Sequence, residues 1–373
     1  MNDEKNLADD YLTRRFKILN VCVTVILLLT IGVSVYQFGG KAWQGRRQVA
    51  LILPGVKENL GWDRSQYLAV KTVCDEADFS LILRENISDD RETCEKVVDE
   101  LAKRGVNTIC FTNGCKLSNV KEFEKNYPQI SFYTIETISA LWSGGSYSIL
   151  SFECSYLAGI LAGLHTKTNK IGYIAPYSDP EVNQGINAFT LGIKRVNPDA
   201  EILLNWTGSW DNSASDEQAV RNLKAQSVDV LTYHENGQTV PDTAERAGMY
   251  FISFNEMYPT YNYYLGAIKI DWKKVYGDMI KYRKGLHLGS TSHNACGISS
   301  RIVDFAVVDK LTTREKVLIE TAKWELLNGR IIFSGDIFDR NDTKRCSENE
   351  TIGFYKLQTD MNWLVKGVKI VGS

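Results

Sequence analysis

A tryptophan followed by an aspartate, Gly61-Trp62-Asp63, stands between an expected strand at 49–53 and an expected helix at 63–76. An indole at that junction can stack on a planar base, and the neighbouring carboxylate can cap the helix or accept hydrogen bonds from a ligand. Similar side chains follow other expected strands. Asn113 follows the strand at 107–111, Trp210 the one at 201–206, Asn236 the one at 229–233, and Asn255 with Glu256 the one at 250–254. Amides and acids also serve as ordinary turn residues, so their types fit both turn chemistry and recognition of a polar molecule. No dense basic cluster accompanies them, which points to a neutral or weakly polar organic ligand rather than a phosphate.

Catalytic signatures are missing. The chain holds no Gly-x-x-x-x-Gly-Lys-Ser/Thr phosphate loop, no Gly-x-Ser-x-Gly elbow and no His-Glu-x-x-His helix. Gly144-Gly145-Ser146-Tyr147-Ser148 resembles an elbow only superficially and reads as a loop or hairpin turn. Cys110 and Cys115 lack a second pair, and His287, His293 and Cys296 sit on a Gly/Ser-rich loop, so no metal and no cofactor is expected.

The elements that would position these residues begin after a membrane-like segment. Lys plus Arg number 43 against 45 Asp plus Glu, the net charge is -2, and 44% of residues are apolar, which excludes a disordered or polyionic chain and disfavours a nucleic-acid binder. Residues 18–38 nevertheless contain no Asp, Glu, Lys or Arg. At about 1.5 Å per residue they make a helix of roughly 31 Å, against a hydrocarbon core of about 30 Å. An uncleaved single-pass anchor at 18–38 is expected, with residues 1–17 as a cytoplasmic tail and 39–47 as a linker to an extracytoplasmic domain at the cell membrane. A cleaved signal peptide is the rival, because Arg14, Arg15 and Lys17 precede the apolar run. No small-x-small cleavage site follows, and Cys22 lies too early in the run for a lipoprotein acceptor. Lys41, Arg46 and Arg47 flank the other end, so the charge count alone nearly balances.

From Gln48 onward, short β-rich runs alternate with longer helical patterns. Residues 49–53 are apolar at every position, as a buried parallel strand requires. Ser88 is expected to cap a helix carrying Cys94, Val97, Val98 and Leu101 on its apolar face. Repetition of this unit predicts two α/β lobes, the first mainly 48–150 and the second mainly 151–255, with the remainder of 48–373 crossing between them. A ligand is then expected between the lobes, at the carboxyl ends of parallel strands.

The stretch Cys154-Ser-Tyr-Leu-Ala-Gly-Ile-Leu-Ala-Gly163 is followed by Lys170-Ile-Gly-Tyr-Ile174, Pro180-Glu-Val182, Ile186-Asn-Ala-Phe189 and Val196-Asn-Pro-Asp199. Toward the end come Leu327-Asn-Gly329, Phe333-Ser-Gly-Asp-Ile337, Met361-Asn-Trp363 and Lys366-Gly-Val368. In this order and spacing they closely resemble the basic membrane protein family, the substrate-binding proteins of ABC transporters for purine nucleosides and related compounds. The resemblance covers Gln48 to Gly372. It implies a periplasmic binding protein fold of type I that closes on a purine nucleoside or related small molecule and delivers it to ABC permease subunits, with no reaction catalysed.

Carried over position by position, the segment from Asn59 to Tyr67 resembles a loop that sets Trp62 and Tyr67 against the base, with amide and acid altered at Asn59 and Asp63. Phe254-Asn-Glu-Met257 resembles a loop whose first acid holds ribose hydroxyls in relatives. Here Phe254 takes that place, and Glu256 stands at the second acid. Lys269 lies in a segment similar to the family's return to the cleft and is implied as a polar contact. The altered residues and the uncleaved anchor motivate one alternative, a membrane-tethered sensor or regulator that uses the same cleft.

Overall fold

The computed structural model describes residues 47–112, 117–135, 144–281 and 293–372, together with Val21, residues 23–27 and Thr30. The chain divides into two units, Met1–Arg47 and Gln48–Ser373. In the first, the described residues from Val21 to Thr30 are helical and exposed, and the Thr30 hydroxyl donates to the carbonyls of Ile26 and Leu27 at 3.0 and 2.9 Å. Most of the expected anchor at 18–38 lies outside the described residues. Among the described residues no helix is long and apolar enough to cross a membrane.

A parallel strand covered on both faces must be apolar on both, and β1 (Gln48–Ile52) shows the consequence. Its Val49 and Leu51 join the core with Ala69, Val70, Val73 and Cys74 of α1 (Trp62–Ala77). Ala50 and Ile52 point the other way, to Cys94, Val98 and Leu101 of α2 (Arg91–Lys103) and to Val120 and Phe123 of α3 (Leu117–Asn126). β1 lies between β2 (Ser80–Arg84) and β3 (Thr108–Phe111), and β4 (Ser131–Ile135) and β5 (Gly145–Ile149) continue the parallel sheet.

The second sheet repeats this order. β6 (Lys170–Ala175) lies between β7 (Glu201–Trp206) and β8 (Val230–Tyr233), and β9 (Tyr250–Phe254) and β10 (Tyr264–Ile270) follow, all parallel. The orders 2-1-3-4-5 and 7-6-8-9-10 are thus the same doubly wound pattern. The chain crosses between lobes three times: from β5 into α4 (Phe152–His165), from β10 into α8 (Trp272–Ile280), which packs on α1, and from β11 (His293–Cys296) into β12 (Val303–Val307). α5 (Pro180–Val196), α6 (Ser213–Ala225), α7 (Thr239–Arg246) and α9 (Thr313–Leu327) belong to the second lobe's layers. The closing segment adds a hairpin of β13 (Ile337–Phe338) and β14 (Lys344–Cys346), then α10 (Phe354–Asp360) and β15 (Val368–Gly372), which pairs with β7.

α4 is buried almost throughout, and it meets α5 backbone to backbone. A Cβ at Gly159 would lie 2.0 Å from the Phe189 carbonyl oxygen, and one at Gly192 would lie 2.1 Å from that of Tyr156. Glycine at both positions lets the two helices approach closely enough to exclude water from the seam.

Two local expectations are corrected. Asp90, not Ser88, caps α2, because its carboxylate accepts from the Thr93 backbone N–H at 2.9 Å, while the Ser88 hydroxyl donates to Asp90. Gly145 to Ile149 is no turn: it is β5, parallel to β4 and β11, with Tyr147 and Ile149 in the core. Its glycine and serines resemble turn residues locally, but sheet pairing on both sides overrides that preference.

Candidate ligand-binding cleft

In a doubly wound sheet the loops diverge where the strand order reverses, leaving a crevice at the carboxyl ends. Here the reversals fall at β1 and at β6, and their loops face each other across one cavity of about 450 Å³. The first lobe supplies Pro54, Asn59, Trp62 and Asp63. The second supplies Tyr177 and Glu181 after β6, Gly208 to Asp211 after β7, His234 and Asn236 after β8, and Phe254 and Ile270 at the ends of β9 and β10.

Aromatic rings set the walls. Trp62 packs edge-on against Trp272 of α8, with ring centroids 5.1 Å apart. Opposite it runs a chain of rings: Tyr177 to Trp210 at 5.8 Å, Trp210 to His234 at 5.4 Å, and His234 to Phe254 at 4.2 Å. The Trp210 indole N–H donates to the Tyr177 hydroxyl, which orients both rings. One bond crosses between lobes at the cavity edge: the Trp62 backbone N–H donates to Asn236 Oδ1 at 3.1 Å. That N–H belongs to the first turn of α1, where no intrahelical acceptor exists, so the opposite lobe provides one.

Several polar atoms in this wall have no partner. Trp62 Nε1, Asp63 Oδ1 and His234 Nδ1 are buried without a hydrogen bond, a costly arrangement unless a ligand completes it. Burial also pushes the Asp63 carboxyl above its ordinary value, although the Asn59 amide and the Gly55 N–H partly offset this. Burial, reinforced by neighbouring Asp179, raises Glu181 as well. Just behind the wall, Glu235 is pushed up to about 9 by burial, against a bond from the Thr207 hydroxyl at 2.6 Å, with Asp216 and Asp211 adding to the rise.

Of the residues singled out by sequence, Trp62, Asp63, Trp210 and Asn236 come together around the cavity. Asp63 is not the helix cap: Gly61 holds that position, and Asp63 sits in the first turn with Oδ2 3.4 Å from the Asn59 amide. Tyr67 is half-buried against the core and is not among the lining residues. Asn255 takes a left-handed turn with its N–H on the Ile268 carbonyl at 2.8 Å, and Glu256 beyond it is exposed. Lys269 is also exposed, opposite Asp304 in the β10–β12 ladder. Neither Asn255, Glu256 nor Lys269 lines the cavity. Asn113 lies outside the described residues.

Tyr177, Glu181, Asp211 and His234 are lining residues that the sequence did not single out, although each lies in or beside a strand-end loop.

The family model for PnrA-like ABC transporter substrate-binding proteins matches residues 46–332. The chain belongs to this family. Among relatives of this PnrA-like protein, a purine-binding protein of Brucella abortus is 26% identical over 222 residues, which cover 58% of this chain and 63% of that protein. The chain therefore spans less than two thirds of that relative. An ABC transporter solute-binding protein from Conexibacter woesei superposes with a TM-score of 0.62 at 15% identity, covering 76% of this chain and 97% of its own. A transcriptional activator of the comK gene from Bacillus halodurans gives 0.64 at 17% identity, covering 76% and 98%. At such identities the superpositions establish the two-lobed fold.

In this PnrA-like cleft, burial lowers His234 from 6.5 to about 4. Between those values the unfolded chain binds the proton that the folded chain refuses, so the contribution is complete above pH 6.5 and is lost as pH falls toward 4. Relative to His234→Phe, wild type is expected to lose on the order of 3 kcal/mol across that window and nothing above it. Urea melts of both proteins across the pH range measure the difference; a pH-independent difference refutes it. Taking the difference also removes the opposite slope contributed by Glu235.

Proposed function

We propose that the protein is a membrane-tethered extracytoplasmic receptor that closes its two lobes on a purine nucleoside-like small molecule and hands it to an ABC permease. The observation that carries this reading is a cavity built from both lobes' switch-point loops and bridged by the Trp62 N–H to Asn236 bond. Facing loops on hinged lobes are suited to capture and release. Family membership and the purine-binding relative support the ligand class and the transport partner. The aromatic walls suit a flat ring, and about 450 Å³ accommodates a molecule of nucleoside size. Among the described lining residues there is no nucleophile paired with a base and an oxyanion donor, which supports binding without turnover. The apolar run at 18–38 supports the tether.

Full-length protein recovered from the membrane fraction and titrated calorimetrically with purine nucleosides and bases is expected to bind at least one of them. Trp62→Ala is expected to weaken that binding by about tenfold, through loss of an aromatic wall. Recovery only from the soluble fraction refutes the tether. No binding across the purine panel refutes the ligand class.

A further inference from the structure

The cavity gathers three carboxylates, Asp63 from the first turn of α1, Glu181 from the first turn of α5 and Asp211 from the loop after β7, and among the described lining residues there is no lysine or arginine. Asp63 is only 8% exposed, and its Oδ1 has no hydrogen-bond partner. The charged neighbours that act on Asp63 and Glu181 are themselves negative, Glu85 and Asp179. Burial keeps His234, the one basic side chain among the described lining residues, neutral at physiological pH. These carboxyl groups stand beside electron-rich rings, with no lysine or arginine among the described lining residues, so a bound cation would favour their charged forms.

We propose that this cleft binds a planar nitrogen heterocycle carrying a positive charge, with Asp63, Glu181 and Asp211 as its counter-charges and Trp62 and Trp210 as its aromatic walls. The proposal rests on the solute-binding reading above and narrows the ligand within it. A cation offsets the cost of burying the Asp63 and Glu181 carboxylates and gains from the indole faces; a phosphorylated ligand brings further negative charge to them. Both effects strengthen as lobe closure removes water.

The test uses the full chain and two matched pairs at neutral pH: N1-methyladenosine, whose ring is then cationic, against adenosine, and N-methylnicotinamide cation against nicotinamide. Adenosine monophosphate supplies the anion. In at least one pair the cation is expected to bind about tenfold or more tightly than its neutral partner, with the monophosphate weakest. Glu181→Gln and Asp211→Asn are each expected to reduce that preference. Neutral partners that bind as tightly as the cations in both pairs overturn the charge assignment and leave the receptor reading intact. Binding of N-methylnicotinamide with none of the nucleosides overturns the purine class and supports the charge assignment. If no compound binds, both readings fall.

Discussion

A leucine at Gly192 is expected to prevent the second lobe from folding. Even a methyl group there would sit 2.1 Å from the Tyr156 carbonyl oxygen, and that atom belongs to the α4 backbone, which cannot rotate aside as a side chain can. Gly159 makes the reciprocal contact, 2.0 Å from the Phe189 carbonyl oxygen, so α4 has no room to retreat without opening the seam on which Leu157, Ile160 and Ile193 are buried. Overpacking by one or two methylenes costs about 1–3 kcal/mol when side chains can adjust; separating two buried helices exceeds that and consumes much of a stability of about 5–15 kcal/mol. Soluble yield and circular dichroism measure the outcome, and Gly192→Ala is expected to retain the fold with a lower urea midpoint. A Gly192→Leu protein that melts like wild type would show that the two helices do not meet as described.

Valine at Gly61 is expected to abolish lobe closure while leaving each lobe folded. Gly61 has φ 92° and ψ -121°, a conformation that side-chain-bearing residues avoid, and a Cβ there would lie 2.6 Å from Asn236 Oδ1 on the opposite lobe. Two penalties therefore fall on one substitution. The backbone strain acts on the α1 N-terminus in every state; the clash acts only when the lobes meet. Affinity for the best purine ligand is expected to fall by about a hundredfold, or about 2.7 kcal/mol, with only a modest change in urea midpoint. Small-angle scattering on ligand addition should show the contraction of wild type and none in the variant. Removing the Asn236 side chain in the Gly61→Val background is expected to restore part of the affinity, because it relieves the clash but not the strain. Undiminished binding by Gly61→Val would mean that closure does not pass through this contact.

Much of the fold was legible because its signals are local and periodic. Every position of the 49–53 run is apolar, as a strand covered on both faces requires. The expected strands at 201–206 and 250–254 coincide with β7 and β9. What failed locally was β5, whose Gly-Ser-Tyr-Ser sequence reads as a turn, because its stability comes from the strands on either side rather than from its own residues.

The cleft divides along the same line. Trp62, Asp63, Trp210 and Asn236 were accessible to sequence reasoning because each lies in or at the far end of the loop that follows an expected strand, where the fold class puts ligands. Asn255, Glu256 and Lys269 have the same residue types at comparable positions, yet the left-handed turn at Asn255 and the outward register of Lys269 direct that part of the chain away from the cavity. Backbone direction over two or three residues decides such cases, and residue type does not encode it.

By itself, the sequence determined that two doubly wound α/β lobes follow an apolar N-terminal run, and that aromatic, amide and acidic side chains stand in the strand-end loops with no dense basic cluster beside them. The tertiary structure alone decided which of those loops converge. Asp63, Glu181 and Asp211 are separated along the chain by more than a hundred residues in one case, so their union in one wall, with no lysine or arginine among its described lining residues, appears in no local pattern. The sequence pointed to a neutral ligand because it showed where positive charge was absent; long-range folding brought the negative charges together.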